Sequence, residues 1–103
     1  MNDAIKIDKN QYQIVCSILK KHLPPSAVVW VFGSRANQTP KPYSDLDLAI
    51  DIGTEMPSTM LIDLKHDFDE SLLPYKVDVL DWHGIDVSFQ TIVLSTAILL
   101  RLF

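Results

Sequence analysis

Short runs of apolar residues in the middle of the chain carry the period of β-strands. The first run, residues 28–32, is β-branched and aromatic throughout, as expected for a buried strand. Two later runs, residues 46–52 and 76–82, alternate apolar side chains with aspartates. These runs predict three strands, and the short connection between the first two favours antiparallel pairing. Trp30 is expected to lie in the core because its neighbours are all apolar.

Elsewhere, apolar residues recur at helical spacing, over residues 11–22, 58–73 and from 86 or 88 to about 102. Asp8 or Asn10 is a suitable cap for the first helix, and Ser58 for the second. The last helix is apolar on nearly all sides, which indicates either an unusually buried helix or an interface with a partner. We favour the interface.

Composition limits the classes of protein that remain. With 103 residues, 48% hydrophobic and 21% charged, the chain is predicted to be a single globular domain, residues 1–103, with an α+β two-layer fold in which helices flank a small mixed or antiparallel sheet. The net charge of −4 disfavours nucleic acid as a direct partner. The single cysteine, Cys16, excludes an internal disulfide and indicates the reducing cytoplasm. We expect no signal peptide and no membrane span.

The first strand ends at Gly33-Ser34, which is the first candidate for binding chemistry. Gly33 leaves room for another group to approach the backbone, and Ser34 is a suitable cap for a short helix through residues 35–37. Free N–H groups at a helix start bind anions, so phosphate is the expected ligand. Arg35 is balanced between a phosphate contact and a surface charge, whereas Lys41 is better interpreted as a surface charge.

Aspartates of the second and third strands are the second candidate. Strand alternation places Asp45 and Asp47 on one face, where two carboxylates repel each other unless a cation lies between them. Oxygen ligands favour Mg²⁺ or Mn²⁺. In the third strand, Asp78 lies between two valines, a costly place for an unpaired charge unless it shares that cation. Asp81 is the alternative third carboxylate, although its place at the strand end favours a cap or turn.

Gly33-Ser34, ten further residues and then Asp45-x-Asp47 form a pattern that resembles the signature of the DNA polymerase β-like nucleotidyltransferase superfamily. The later segment of residues 76–82 and the small size resemble the minimal MNT-type branch, the antitoxin partners of HEPN proteins. The resemblance covers residues 28–82. Where family members commonly carry Arg-Gly, this chain has Asn37-Gln38.

The resemblance implies the nucleotidyltransferase fold and a metal-dependent nucleotidyltransferase that transfers AMP from ATP to a hydroxyl group, which it identifies as a tyrosine of a HEPN-type toxin. It assigns the third carboxylate to Asp78. Asp45, Asp47 and Asp78 are then the catalytic and metal-binding residues of a two-metal Mg²⁺ site, with Mn²⁺ as an alternative. The nucleotide-binding residues are Gly33, Ser34 and Arg35.

Two other functions remain open at this point. The chain could be a non-catalytic module that neutralises its partner by contact alone. It could also adenylylate a small molecule such as an aminoglycoside, with a partner subunit that supplies the pocket. We expect no acceptor-binding domain in the chain, which ends at Phe103, and we expect a homo- or hetero-oligomer assembled through the C-terminal helix.

Overall fold

The computed structural model describes residues 5–36 and 39–102, which form three α-helices and one four-stranded sheet. The elements, in chain order, are α1 (Lys9–His22), β1 (Val28–Phe32), β2 (Leu46–Asp51), α2 (Ser58–Asp69), β3 (Val77–Asp81), α3 (Val87–Thr96) and β4 (Ile98–Leu100). None of these helices is long and apolar enough to cross a membrane.

The strand order across the sheet is β3-β2-β1-β4, with both parallel and antiparallel pairs. β1 runs antiparallel to β2 and to β4, which confirms the pairing predicted for the first two strands. β2 and β3 are parallel, and α2 makes the connection between them that a parallel pair requires. The predicted α+β fold with a mixed sheet is therefore confirmed.

The ends of the first two helices follow from local hydrogen bonds. The carboxylate of Asp8 accepts from the N–H of Gln11 at 2.7 Å and the Gln11 side chain accepts from the N–H of Asp8, so α1 begins two residues earlier than predicted. Ser58 is not the cap of α2, because Pro57 occupies that position without a side-chain hydrogen bond. α2 also ends at Asp69, before the predicted residue 73.

One face of the sheet packs against α1 and α2 and forms the core. Fully buried side chains of this core include Val15, Leu19, Val29, Leu46, Leu48, Ile50 and Leu64. They come from alternate positions of the strands, as the period of two requires. The apolar positions predicted for the first two helices supply the core, except Leu72, which lies beyond the end of α2 and is exposed.

The prediction of one long C-terminal helix is wrong. α3 ends at Thr96, and residues Ile98–Leu100 form β4 beside β1, with Leu100 opposite Val29. This strand pairs the backbone of β1 on its free side and buries Leu100 in the core. Within α3 only Val93 is buried, and Val87, Ile92 and Leu94 are exposed, so the alternative of an unusually buried helix is wrong.

The other face of the sheet carries aromatic pairs and acidic side chains. Trp30, predicted to lie in the core, is only partly buried and packs against Trp82 with ring centroids 4.8 Å apart. Its even position in β1 points it away from the face that packs on α1 and α2. Phe32 meets Phe89 of α3 edge to face at 6.4 Å. This second face is the one that carries Asp47.

Candidate active site

Gly33 begins the turn that follows β1 and has a φ of 74°, a conformation that L side chains rarely adopt. A Cβ at this position would also collide with Oδ2 of Asp47. The group that needs the space beside Gly33 is therefore a carboxylate of the chain itself. The turn is a 3₁₀ helix over Gly33–Arg35, so Ser34 lies within it and is not its cap. The predicted helix through Asn37 extends outside the described residues.

Asp47 and Asp78 are side by side on the parallel strands β2 and β3. Burial, followed by the negative charges of Asp78 and Asp45 and a hydrogen bond to Asp78, raises the pKa of Asp47 to about 6. Lys76 lies 3.4 Å from Asp78, but its ammonium is largely exposed. The sheet register thus holds two carboxylates together at a cost to the ionisation of Asp47. The alternation of the sequence predicts a repulsive pair of Asp45 and Asp47, whereas the register pairs Asp47 with Asp78.

Asp45 precedes β2 and is exposed. Its charge reaches Asp47 strongly enough to raise that residue's pKa, so the two lie near each other. In the described part of the chain, however, no three acidic, histidine or cysteine side chains converge closely enough to hold a metal ion by themselves. The structure therefore brings Asp47 and Asp78 together, whereas Asp45, the third predicted ligand, lies just before β2 and is exposed.

The carboxylates of Asp47 and Asp78 fit a divalent cation. Their mutual repulsion, seen in the raised pKa of Asp47, is relieved when a positive ion lies between them. Carboxylate oxygens suit Mg²⁺ and Mn²⁺, which commonly complete their coordination with water and substrate phosphates. A partial set of protein ligands is therefore consistent with such an ion.

Asp81, the alternative third carboxylate, has a structural role. Its two oxygens accept hydrogen bonds from the N–H groups of Met56 at 2.9 Å and His83 at 3.2 Å. The second of these bonds caps a 3₁₀ helix over Trp82–Gly84. Asp81 also points to the face opposite Asp78, because the two are an odd number of positions apart in β3. It behaves as the cap that its position at the strand end predicted.

The donors of the Arg35 side chain are used in contacts within the chain. The side chain is 4% exposed and donates hydrogen bonds to the backbone carbonyls of Ser44 at 2.9 Å, Lys6 at 2.8 Å and Pro42 at 3.1 Å. Its guanidinium also packs 3.9 Å from the centre of the Tyr75 ring. These contacts use its donors to hold the loop before β2, which favours a structural role for Arg35 over the predicted nucleotide contact.

A cavity of about 240 Å³ opens beside the carboxylate pair. Asp47 and Asp78 form its acidic wall, Phe32, Leu80 and Phe89 line an apolar part, and Lys65 of α2 supplies a cation. No motif of the sequence points to Lys65 or Phe89. Lys65 lies on the polar side of a predicted helix, and no local signal distinguishes it from a solvated lysine. A cavity with a few charged groups and apolar walls is typical of a small-molecule site.

Solved structures share this fold. A crystal structure of a toxin–antitoxin with AMP-PNP superposes with a TM-score of 0.73 at 20% identity, over 87% of this chain and 72% of that one. A structure of the MntA–HepT toxin–antitoxin gives a TM-score of 0.68 at 17% identity, over 91% of this chain and 72% of that one. At this level of identity the likeness concerns the fold.

A sequence relative is closer. The probable protein adenylyltransferase MntA of Haemophilus influenzae is 40% identical over 98 residues, which are 94% of this chain and 84% of that protein. The family model described as polymerase beta, nucleotidyltransferase matches residues 13–101. This segment contains the turn at Gly33 and the three candidate metal ligands Asp45, Asp47 and Asp78. Since this match spans most of its length, the chain belongs to the polymerase β-type nucleotidyltransferase family.

Proposed function

We propose that this nucleotidyltransferase uses ATP and a divalent metal, Mg²⁺ or Mn²⁺, to transfer AMP to a tyrosine hydroxyl of a HEPN-type toxin, and so acts as the antitoxin. The name of the Haemophilus influenzae relative supports protein adenylylation. The MntA–HepT structures and the structure with AMP-PNP support the toxin partner and the adenine nucleotide.

The observation that carries this proposal is the carboxylate pair of Asp47 and Asp78 in register beside the Gly33–Ser34 turn. Both carboxylates line the same cavity, and burial together with the neighbouring charges of Asp78 and Asp45 raises the pKa of Asp47. A pair maintained against repulsion on a face that contributes little to the core is better explained by function than by stability.

In this mechanism, the turn at Gly33 and Ser34 would bind the β- and γ-phosphates, and Asp45, Asp47 and Asp78 would hold the metal. A divalent cation held by these carboxylates would supply positive charge to the phosphate oxygens. The acceptor oxygen attacks the α-phosphorus, the bond from that phosphorus to the bridging oxygen breaks, and pyrophosphate leaves. Asp78 accepts the proton of the hydroxyl, so charge and atoms balance. Most of the rate enhancement is expected to come from the correct positioning of the acceptor oxygen and the α-phosphate and from stabilisation of the charge in the transition state.

The partner is proposed to dock on the exposed apolar side of α3 and β4, formed by Val87, Ile92, Leu94 and Leu99. This surface adjoins the cavity, because Phe89 of the same helix lines it. An acceptor bound there would be held next to the carboxylate pair. We therefore propose a hetero-oligomer that assembles through α3 and β4. The same proposal includes a single domain over residues 1–103 and a cytoplasmic location.

The exposed apolar side of α3 also favours a second function, neutralisation of the partner by contact without transfer. Its residues need no catalysis to form an interface. The two functions differ in whether the carboxylate pair is required, so a single pair of variants separates them.

The first experiment is a calorimetric titration of Mg²⁺-ATP into the wild-type chain and into Asp45→Asn/Asp47→Asn. We expect binding to the wild type and its loss in the double variant. The matched control is Asp63→Asn/Asp69→Asn, which removes the same charge from the exposed side of α2 and should bind as the wild type does. Absence of binding to the wild type, with Mn²⁺ and with the partner present as well, would contradict the enzymatic proposal.

Incubation of the purified partner with the chain, ATP and Mg²⁺ then identifies the acceptor by mass spectrometry. Addition of AMP to a tyrosine of the partner is the expected result. Nucleotide binding without a protein adduct would favour a small-molecule acceptor. Loss of toxicity in the absence of nucleotide would favour contact alone.

A further inference from the structure

The active-site cavity presents a problem of charge. Asp47 and Asp78 line it, Asp45 is near, and the proposed ligand is itself a polyanion. Arg35, the arginine nearest the phosphate-binding turn, is buried and bonded to backbone carbonyls, so it cannot balance this charge. Bound metal ions neutralise part of it, and a cationic side chain in the cavity would neutralise more.

Lys65 is the lysine that lines this cavity. In the described part of the chain its side chain forms no ion pair or hydrogen bond, whereas Lys76 is paired with Asp78 and Lys21 with Asp67. Lys65 projects from the middle of α2, a helix that packs against β3. An unpaired ammonium is thus available in the cavity on the side of β3.

Position across the sheet indicates which phosphate this ammonium would meet. The Gly33 turn follows β1, Asp47 lies on the neighbouring β2, and Asp78 lies on β3, which α2 contacts. α2 packs on the core face of the sheet and β3 is the edge strand, so Lys65 reaches the cavity around the outer edge of β3, across the carboxylate pair from the turn. A triphosphate whose β- and γ-phosphates occupy the turn would extend its α-phosphate across the carboxylates towards Lys65.

We propose that Lys65 binds the α-phosphate of the nucleotide, the phosphate that is transferred. This inference rests on the proposed function and adds a residue to its site. A lysine acts on phosphate as a mobile point charge, which suits an oxygen that changes position as the phosphorus is attacked. The exposed position of Lys65 on α2 also allows its replacement without loss of the fold.

The test compares Lys65→Met, Lys65→Arg and wild type in calorimetric titrations with Mg²⁺ and two probes. One probe is α,β-methylene-ATP, which cannot be cleaved between the α- and β-phosphates, and the other is AMP. We expect Lys65→Met to lower the affinity for both probes by about tenfold, which is the usual effect of losing a charge-assisted hydrogen bond. Lys65→Arg keeps the charge and should restore most of the affinity.

Two controls separate a phosphate contact from a general loss of positive charge. Lys9→Met removes a charge from the exposed start of α1, and Lys76→Met removes one beside Asp78. We expect smaller losses from both than from Lys65→Met. An equal loss from Lys76→Met, an unchanged affinity of Lys65→Met, or a loss for the triphosphate alone would overturn the proposal. Failure of the wild type to bind either probe would instead count against the proposed function.

Discussion

Asp47 and Leu48 are consecutive residues of β2, and they lie on opposite faces of the sheet with different surroundings. Leu48 points to α1 and α2 and is fully buried in the core. Asp47 points to the opposite face, where it meets Asp78 and has a raised pKa. One face therefore provides stability, whereas the other holds a partly buried carboxylate beside a second one, an arrangement that disfavours ionisation of Asp47. Substitutions on the two faces should accordingly change different measurements.

The largest expected effect is on catalysis. Asp78→Asn removes one of the two adjacent carboxylates, and we expect the rate of AMP transfer to the partner to fall by about 10³, or about 4 kcal/mol of barrier. Transfer is measured with labelled ATP and purified partner. The free energy of unfolding should stay close to that of the wild type, because Asp78 is partly exposed and outside the core.

The matched control for this prediction is Asp69→Asn, which removes an aspartate from the exposed end of α2. It should transfer AMP at the wild-type rate. If Asp78→Asn retained more than about a tenth of the wild-type rate, a loss below about 1.4 kcal/mol, the carboxylate pair would not be the catalytic centre.

Substitution on the other face should affect stability. Leu48→Ala leaves a cavity between the sheet and the two helices, and we expect the free energy of unfolding to fall by about 3 kcal/mol. Leu99→Ala removes the same atoms from β4, where the side chain is 42% exposed, and should cost less than about 1 kcal/mol. Urea unfolding of both variants tests the difference. Equal losses would show that the two faces contribute alike.

The third prediction concerns Arg35, which the sequence placed at the nucleotide and the structure places in a loop contact. Arg35→Lys keeps the charge but cannot make the forked hydrogen bonds to Ser44 and Lys6. We expect a loss of about 2 kcal/mol of unfolding free energy, measured by urea denaturation, because buried carbonyls lose their donors. Affinity for Mg²⁺-ATP, measured under conditions where the variant is folded, should not change. A selective loss of affinity would restore the role first predicted.

The sequence predicted the central strands and the sheet face of Asp47 correctly because both depend on local spacing. Alternation alone puts Asp47 on the face away from Leu46 and Leu48. The roles of Asp45, Asp47, Asp78, Gly33 and Ser34 in binding metal and nucleotide remain predictions that the titrations above test. The family, the fold and the transferase class did follow from the sequence pattern.

Errors arose where the outcome depends on distant parts of the chain. Residues 98–100 are a short apolar run, which strand and helix fit equally well, and only the free edge of β1 decides in favour of a strand. Arg35 is buried because Lys6, Ser44 and Tyr75 come together around it, and its immediate neighbours contain no sign of this. Lys65 likewise lines the cavity only because the fold brings α2 close to β3 and α3, and its neighbours in the sequence contain no sign of this.

The smallest expected effect concerns the pH dependence of the metal-free protein. The pKa of Asp47 in the folded chain is about 6, above its usual value of 3.8, so the folded state binds this proton more tightly than the unfolded state. The resulting stability is present below about pH 3.8 and is lost as the pH rises through about 6. Without solvent screening, this pKa shift would change the free energy of unfolding by about 3 kcal/mol. Because Asp47 is partly exposed to solvent, we expect a change of about 1 kcal/mol.

Asp47→Asn removes both the charge and its titration. In EDTA at pH 7.5, this variant should therefore be more stable than the wild type by about 1 kcal/mol, and the two should converge near pH 4. Asp63→Asn, on the exposed side of α2, should follow the wild type across this range. Mg²⁺ should raise the melting temperature of the wild type and have less effect on Asp47→Asn, because a ligand stabilises the state that binds it. A wild type whose stability rises between pH 4 and 6 more than that of Asp47→Asn would show that folding does not raise the pKa of Asp47, and the functional argument drawn from that shift would fail with it.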